Sequence, residues 1–420
     1  MTSSTDILLN GADGRDLPAG RQAALDRFRA QGLPTRRQEA WTFTSLNPLE
    51  AFLTAERPAD RDTLAEVSLP APLNPAAVRI VVRDGVVESD LSALALTGVT
   101  LTRGCPARLD DTSDERNSDE GTGRAVRDLA HAMADDGLTI HVAKNVAAGA
   151  IELVFIGSGT RPAGHHFALS VELETGASLD LAEHHLGAGG YAALLAGTIR
   201  VGDNARLGHV KLQDEGRDAF HLADQAASVG RDGSYRRLVL STGSRLARDE
   251  VHVALNGSGA DVVLAGAYAG SGRQHLDHTT HIDHVVPRTT SREIYKGVLD
   301  GRARGVFQGG IRVMRDAQQT RGDQLNKALL LSPRAEVNQK PALQIFADDV
   351  QCSHGATAGE IDEDALFYLR ARGVDAASAK AMLVQAFLDE IFDELADADL
   401  AETLVRRVHR ALEEGSGDDA

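Results

Sequence analysis

The sequence has two cysteines, few aromatics, few lysines and no long apolar run, and each shortage excludes something. Cys105 and Cys352 lie far apart in 420 residues and match no Cys-x-x-Cys pattern. Neither a disulfide framework nor a self-contained four-cysteine metal site can be built from them. Aromatics make up 4% of the chain, with a single Trp and five Tyr. No segment approaches the ~18 consecutive apolar residues of a membrane-spanning helix. Met1 to Asn10 is polar and lacks the basic and then apolar stretches of a signal peptide. No phosphate-binding Gly-x-x-x-x-Gly-Lys-Ser/Thr loop, dinucleotide fingerprint or Gly-x-Ser-x-Gly elbow is present. These absences point to a cytoplasmic, reduced protein that does not itself hydrolyse ATP.

Acidic residues outnumber basic ones by 61 to 44, a net charge of −17. A nucleic-acid binder needs clustered Lys and Arg to displace counterions, and an anionic membrane surface makes the same demand, so neither partner is expected. The charge reads as a solubility feature. Glycine is abundant, and 26 of the 41 glycines fall between residues 138 and 350.

The chain divides into three regions by pattern. Residues 1–137 form an N-terminal helical and mixed region. Ala19 to Gln31 reads as a helix, with Leu25 and Phe28 at i,i+3 spacing and Gly32-Leu33-Pro34 as its stop. Val78 to Val87 reads as a hairpin turning at Asp84-Gly85, and Arg124 to Ala134 as a second helix. A linker is expected over residues 54–75 and an acidic loop over Asp110 to Glu120. Residues 138–360 hold short alternating runs such as Leu138-Thr139-Ile140-His141-Val142 and Arg237-Leu238-Val239-Leu240. Small-residue turns such as Gly176-Ala177-Ser178 separate them. Such strands suit either a β-solenoid or a β-sandwich, and the scarcity of rings with small aliphatic inward positions favours the solenoid. Residues 361–420 return to helical spacing: Asp364 to Leu369, Asp375 to Leu395 and Leu400 to Leu412. The expected fold is therefore mainly β with α, a β-helix flanked by helical regions.

Two clusters attract a chemical reading. The run His275-Leu276-Asp277-His278-Thr279-Thr280-His281-Ile282-Asp283-His284 places four His and two Asp in ten residues. Strand periodicity splits it, with His278 and His284 on the face of Leu276 and Ile282 and His275 and His281 on the other. Polar ladders on a β-layer are favoured over a metal site. In Cys352-Ser353-His354-Gly355 the thiol and imidazole share one face of an extended strand. Both are ligands for iron or zinc, and together they could be a nucleophile and its base. From the residues alone, a buried Cys and a hydrogen-bonded His is the favoured reading.

The sequence also carries a dense set of recognisable segments. They are Tyr295-Lys296-Gly297-Val298, Gly309-Gly310-Ile311-Arg312-Val313, Asp316-Ala317-Gln318-Gln319-Thr320 and Gln324 to Ser332. Further along come Ala347 to Thr357 and Leu366 to Gly373. With Arg36 to Thr44 and Leu129 to Gly137 upstream, they closely resemble the SufB/SufD family of the SUF iron–sulfur cluster assembly machinery, across most of residues 20–410. Within it they resemble the SufD branch. SufB members carry a cysteine in a Gln-Cys-Asp-Ser segment, whereas the matching stretch here is Gln324-Leu325-Asn326-Lys327. Gly355 follows His354 where SufB has Glu.

The resemblance implies a right-handed parallel β-helix core flanked by helical domains, and a non-catalytic scaffold. It implies pairing with a SufB homologue and docking of a SufC-type ATPase on the C-terminal helical domain. A nascent Fe–S cluster is expected to form transiently at the interface with SufB. Cys352 and His354 match the family's Cys-x-His-Gly motif and are the candidate ligands. Phe387 and Ile391 are candidate contacts for the ATPase, with core packing the favoured use. Whether a flavin binds the complex is left open. Two other readings compete. One is a homodimeric metal scaffold joining two Cys352–His354 pairs across a two-fold, and the isolated chain could form such a homodimer. The other is a β-helix carbohydrate-active enzyme, which the lack of aromatic sugar platforms disfavours.

Overall fold

The structure, a computed structural model, describes residues 17–53, 69–91, 94, 96–109, 124–159, 163–392 and 398–415. The expected acidic loop lies outside the described residues, as does most of the expected linker. Helix α1 (Ala19–Gln31) forms where its spacing predicts, burying Ala24, Leu25 and Phe28. A 3-10 turn at Glu39–Trp41 buries the tryptophan, and the short α2 (Glu50–Leu53) follows. Next come β1 (Val78–Arg83), β2 (Val86–Val87), β3 (Val99–Arg103) and α3 (Ala125–Met133). The hairpin is real: β1 and β2 pair antiparallel and turn through left-handed Asp84 and Gly85.

The remaining strands build a two-walled β-solenoid of about 8 turns. They are β4 (Asp136–Val142), β5 (Ala147–Gly159), β6 (Gly164–Leu173), β7 (Ser178–Gly189), β8 (Ala192–Val201), β9 (Arg206–Glu215), β10 (Phe220–Val229) and β11 (Ser234–Ser241). After them run β12 (Leu246–Leu255), β13 (Asp261–Gly270), β14 (His275–His284), β15 (Thr290–Leu299), β16 (Arg304–Val313), β17 (Thr320–Leu330), β18 (Glu336–Ile345) and β19 (Val350–Glu360). Odd strands from β5 to β19 stack in one wall and even strands from β4 to β18 in the other, all parallel. The hairpin and β3 extend the two walls at the N-terminal end. Paired strands are offset by as few as 26 residues, Phe220 to Leu246, and as many as 32, Arg304 to Glu336.

One corner repeats a left-handed residue in almost every turn: Asn145, Gly176, Asn204, Asp232, Gly259, Arg288 and Gln319. Each donates its backbone N–H to a carbonyl of the next turn's corner, as Asn204 does to Arg231 at 2.8 Å. Only Gly adopts this conformation without steric cost, and Asn and Asp tolerate it better than other residues.

Both walls are covered outside. Helices α1 and α3 pack on the even wall, joining Phe28, Trp41 and Leu129 to Leu194, Phe220 and Leu222. The C-terminal helices are α4 (Glu363–Ala371), α5 (Ala376–Phe392) and α6 (Ala398–Gly415). Asp362 caps α4, accepting from the N–H groups of Asp364 and Ala365 at 2.9 and 3.1 Å. Val384, Leu388, Leu404 and Val408 cover the odd wall at Leu238, Leu240, Ile294 and Val298.

The interior is not the aliphatic column that composition suggested. Apolar residues fill its N-terminal end, but the later turns direct Glu183, His209, Lys211, Arg237, Asp249, His278 and Glu293 inward, all buried. They fit because they satisfy one another. Asp249 accepts from Lys211 and from both terminal nitrogens of Arg237, each at 2.8 Å, and Glu183 accepts from His209 at 2.9 Å.

Candidate functional site

The C-terminal end of the solenoid is where the motif residues sit. Among the described residues, strand β19 pairs only with β17 and β18 only with β16, so both strands are edges. An edge presents a row of backbone N–H and C=O groups to any strand that adds to it. Pro341 breaks that row in β18, whereas β19 contains no proline. Ile345 and Phe346 lie exposed at the end of β18.

Cys352 and His354 both lie on β19. Parallel in-register pairing sets Cys352 beside Gly322 and His354 beside Gln324, so both follow the inward-facing rows of the wall. Cys352 is half-buried and packs against the solenoid core, while His354 is exposed at the open mouth. Beneath His354 the row runs inward through Gln324 to Glu293, and Gln324 donates to Glu293 at 2.5 Å. Gln324 keeps its side-chain carbonyl without a partner. Ser353 faces the other way and donates to Asp323 at 2.6 Å.

No hydrogen bond joins Cys352 to His354 among the described residues. Burial pushes the Cys352 thiol up from its ordinary value, with Asp323 adding to the shift, so it stays protonated. A thiol in that state is a poor nucleophile and becomes a ligand only when an arriving cation displaces its proton. The pair thus offers two donors of different type on one face of an edge strand. Cys105 is remote from this mouth in a different setting: it lies near α3, where burial raises its thiol to about 11.

The other expected site residues lie elsewhere. Ile391 is fully buried against the odd wall, and Phe387 is half-buried there, with the Lys296 ammonium 4.9 Å from its ring centroid. Exposed apolar side chains of the C-terminal helices are Phe367 and Tyr368 on α4 and Met382 on α5, which helical spacing alone did not separate from core positions.

The histidine run divides as its periodicity predicts. His278, Thr280 and His284 face inward. His284 uses both ring nitrogens, on Thr289 at 2.7 Å and Ser291 at 2.9 Å. His275 faces outward to Thr44 at 2.9 Å, and Asp277 and Asp283 accept from Arg248 and Arg312. No three members of the run converge as metal ligands among the described residues. No helix among those residues is long and apolar enough to cross a membrane.

The family model for the SUF system FeS cluster assembly SufBD core domain matches residues 155–387. The chain is similar to the iron–sulfur cluster assembly protein SufD of Escherichia coli, 27% identical over 96% of this chain and 95% of that protein. It is also similar to an iron–sulfur cluster assembly SufBD family protein of Synechocystis, 28% identical over 94% and 90% of the two chains. A SufBD family protein of Mycobacterium bovis is 31% identical over 61% of this chain and 66% of its own length.

Proposed function

The chain belongs to the SufBD family of the SUF iron–sulfur cluster assembly system, and from that premise we propose that it is a non-catalytic scaffold subunit supplying half of a nascent-cluster site. The observation that carries the reading is the open edge strand β19, which holds Cys352 and His354 at the uncapped mouth of the solenoid. Two ligands cannot enclose a cluster, so the remaining donors come from a partner whose own solenoid meets this edge. A SufB homologue is that partner, and strand addition along β19 is the mode of contact.

A SufC-type ATPase docks on the C-terminal helical domain, residues 361–420. In this reading Phe387 and Ile391 fasten α5 to the odd wall, and the exposed Phe367, Tyr368 and Met382 offer apolar contact area. ATP-driven dimerisation of that ATPase pulls on the helices. Because α5 and α6 rest on the odd wall that ends in β19, the pull reaches the mouth. The Cys352 thiol is then exposed, and on binding an iron ion it releases its proton to solvent as the Fe–S bond forms. The cluster is cargo, held transiently and passed on.

Co-expression tests the assembly. Tagged full-length chain is expressed with a SufB homologue and a SufC-type ATPase and recovered by affinity. Both partners are expected to co-purify in near-stoichiometric amounts. Recovery of the tagged chain with neither, as a homodimer, contradicts the shared-site reading and favours a self-sufficient scaffold.

A further inference from the structure

Deep in the solenoid, away from the open mouth, three donor side chains converge. His185 on β7, Glu215 at the end of β9 and His221 at the start of β10 all lie fully inside, and one ligand atom from each falls within 4.8 Å of the others. Only residues 216–219 separate β9 from β10, so Glu215 and His221 face each other across the corner between the two walls. His221 Nδ1 lies 3.1 Å from Glu215 Oε1. The His185 ring stands edge-on to that of His221 at 4.8 Å, and Phe155 stacks on it at 4.4 Å, which fixes its plane.

The surroundings resemble the outer shell of a metal centre. A metal-bound imidazole usually gives its other nitrogen to a carboxylate. His185 Nε2 lies 2.9 Å from Glu183 Oε2, and Glu183 is itself held by His209 and Gln225 at 2.9 and 2.8 Å. That leaves His185 Nδ1 for a ligand. Gln213 donates to Glu215 Oε2 at 2.6 Å, and Ser244 lies 3.4 Å from the same oxygen.

Among the described residues, His221 Nε2, the Tyr191 hydroxyl and the Gln213 side-chain oxygen are buried without a partner. Orphans of this kind are uncommon and call for an explanation. Tyr191, His185 and Glu215 line a cavity of about 30 Å³, together with His165 and Asp84. That volume admits a water molecule or a small ion with its remaining ligand.

The protonation states suit a cation. Burial lowers His185 to about 4, leaving it neutral at pH 7. Burial alone would raise Glu215, but His221, His185 and Gln213 outweigh it and hold the carboxyl at about 2. A second cluster, Asp224, Glu250 and His252, lacks this vacancy for charge. Arg124 and Arg127 approach Asp224 at 3.6 and 3.8 Å, and Arg248 pairs with Glu250 at 2.8 Å, so guanidinium groups already neutralise it.

We propose that His185, Glu215 and His221 form a buried site for a divalent transition-metal ion, distinct from the Cys352–His354 mouth. Two imidazoles and one carboxylate without a thiolate suit zinc or iron(II), and an all-oxygen cation such as calcium or magnesium is a poor match. The cavity supplies the fourth position. Bound there, the ion ties β7, β9 and β10 together at the corner, and Glu183 is a positioning residue acting through His185.

Cobalt(II) titration of the chelator-treated full-length chain tests the site. About one equivalent is expected, with the visible absorption of a low-coordinate ion and a raised melting temperature. His221→Ala and Glu215→Gln should abolish that equivalent in variants whose circular dichroism shows them folded. Glu183→Gln should weaken affinity by about 10–100-fold, and His354→Ala should leave it unchanged. Absence of binding, or binding that survives both ligand variants, overturns the proposal, as does loss on His354→Ala. Should the ligand variants not fold, X-ray absorption on the cobalt-loaded wild type decides. Imidazole and oxygen scattering without sulfur supports the site, and sulfur in the shell contradicts it.

Discussion

Asp249 is the residue on which the charged interior turns. It is buried with two cations, Lys211 and Arg237, each 2.8 Å away. Burial alone would raise its carboxyl, but Arg237 and Lys211 outweigh that and hold it well below the usual carboxylate range. The three charges are unequal, and this sets a testable asymmetry. Asp249→Asn strands two buried cations and is expected to cost about 3–5 kcal/mol. Arg237→Met leaves the Lys211–Asp249 pair intact, keeps most of the side-chain volume, and should cost on the order of 1–2 kcal/mol. Urea unfolding of both variants checks the order, and equal costs would contradict the arrangement. None of this was legible beforehand. Arg237-Leu238-Val239-Leu240 sets one cation before three apolar residues, a pattern that does not say which face is inside. Leu238 and Leu240 lie outside under the C-terminal helices, while Arg237 points in. The pairing of Cys352 with His354 on one face was legible, because it needs only period two and no knowledge of what lies on either side.

At the scale of the strand, the sequence shows runs of four to six residues where most strands have about ten. Some of the missing ends carry an inward glycine or polar side chain, such as Gly197 in β8 and Asp249 in β12, that interrupts the apolar alternation. Glycine placement explains much of this. Tyr295 lies beside Gly266 and Tyr268 beside Gly297 on the neighbouring strand, so each ring rests over a residue without a side chain. A Cβ at Gly297 would fall 2.0 Å from the Tyr268 ring, and one at Gly266 would fall 2.2 Å from that of Tyr295. Four of the five tyrosines are buried, and Tyr235, Tyr268 and Tyr295 lie inside the solenoid. Gly297→Ala should therefore lower stability by about 1–3 kcal/mol through overpacking. Gly359→Ala on β19, where nothing lies within 4 Å, should be neutral within experimental error in thermal melts. A neutral Gly297→Ala would show that the tyrosine rings are not packed as described. The repeat has no sequence motif because the left-handed corner is filled variously by Asn, Gly, Asp, Arg and Gln. Its conformation repeats, but its residue type does not.

At the scale of the whole molecule, one end of the solenoid is extended by a hairpin and an antiparallel strand and the other is left open. Helices cover both outer walls, which accounts for apolar residues on both faces of the strands. The broad architecture was readable from the shift between helical spacing, glycine-rich alternation and helical spacing again. The open edge was not, since an edge is a property of what fails to pair. It is the physical basis of the proposed reading, in which the two donors Cys352 and His354 on an edge strand are completed by a second solenoid. Anaerobic cluster assembly in the complex with a SufB homologue and a SufC-type ATPase tests this most directly, read by iron–sulfur absorbance with wild-type chain and with His354→Ala. The account predicts that the variant still enters the complex while cluster yield is lost. A normal yield from an intact complex would contradict it.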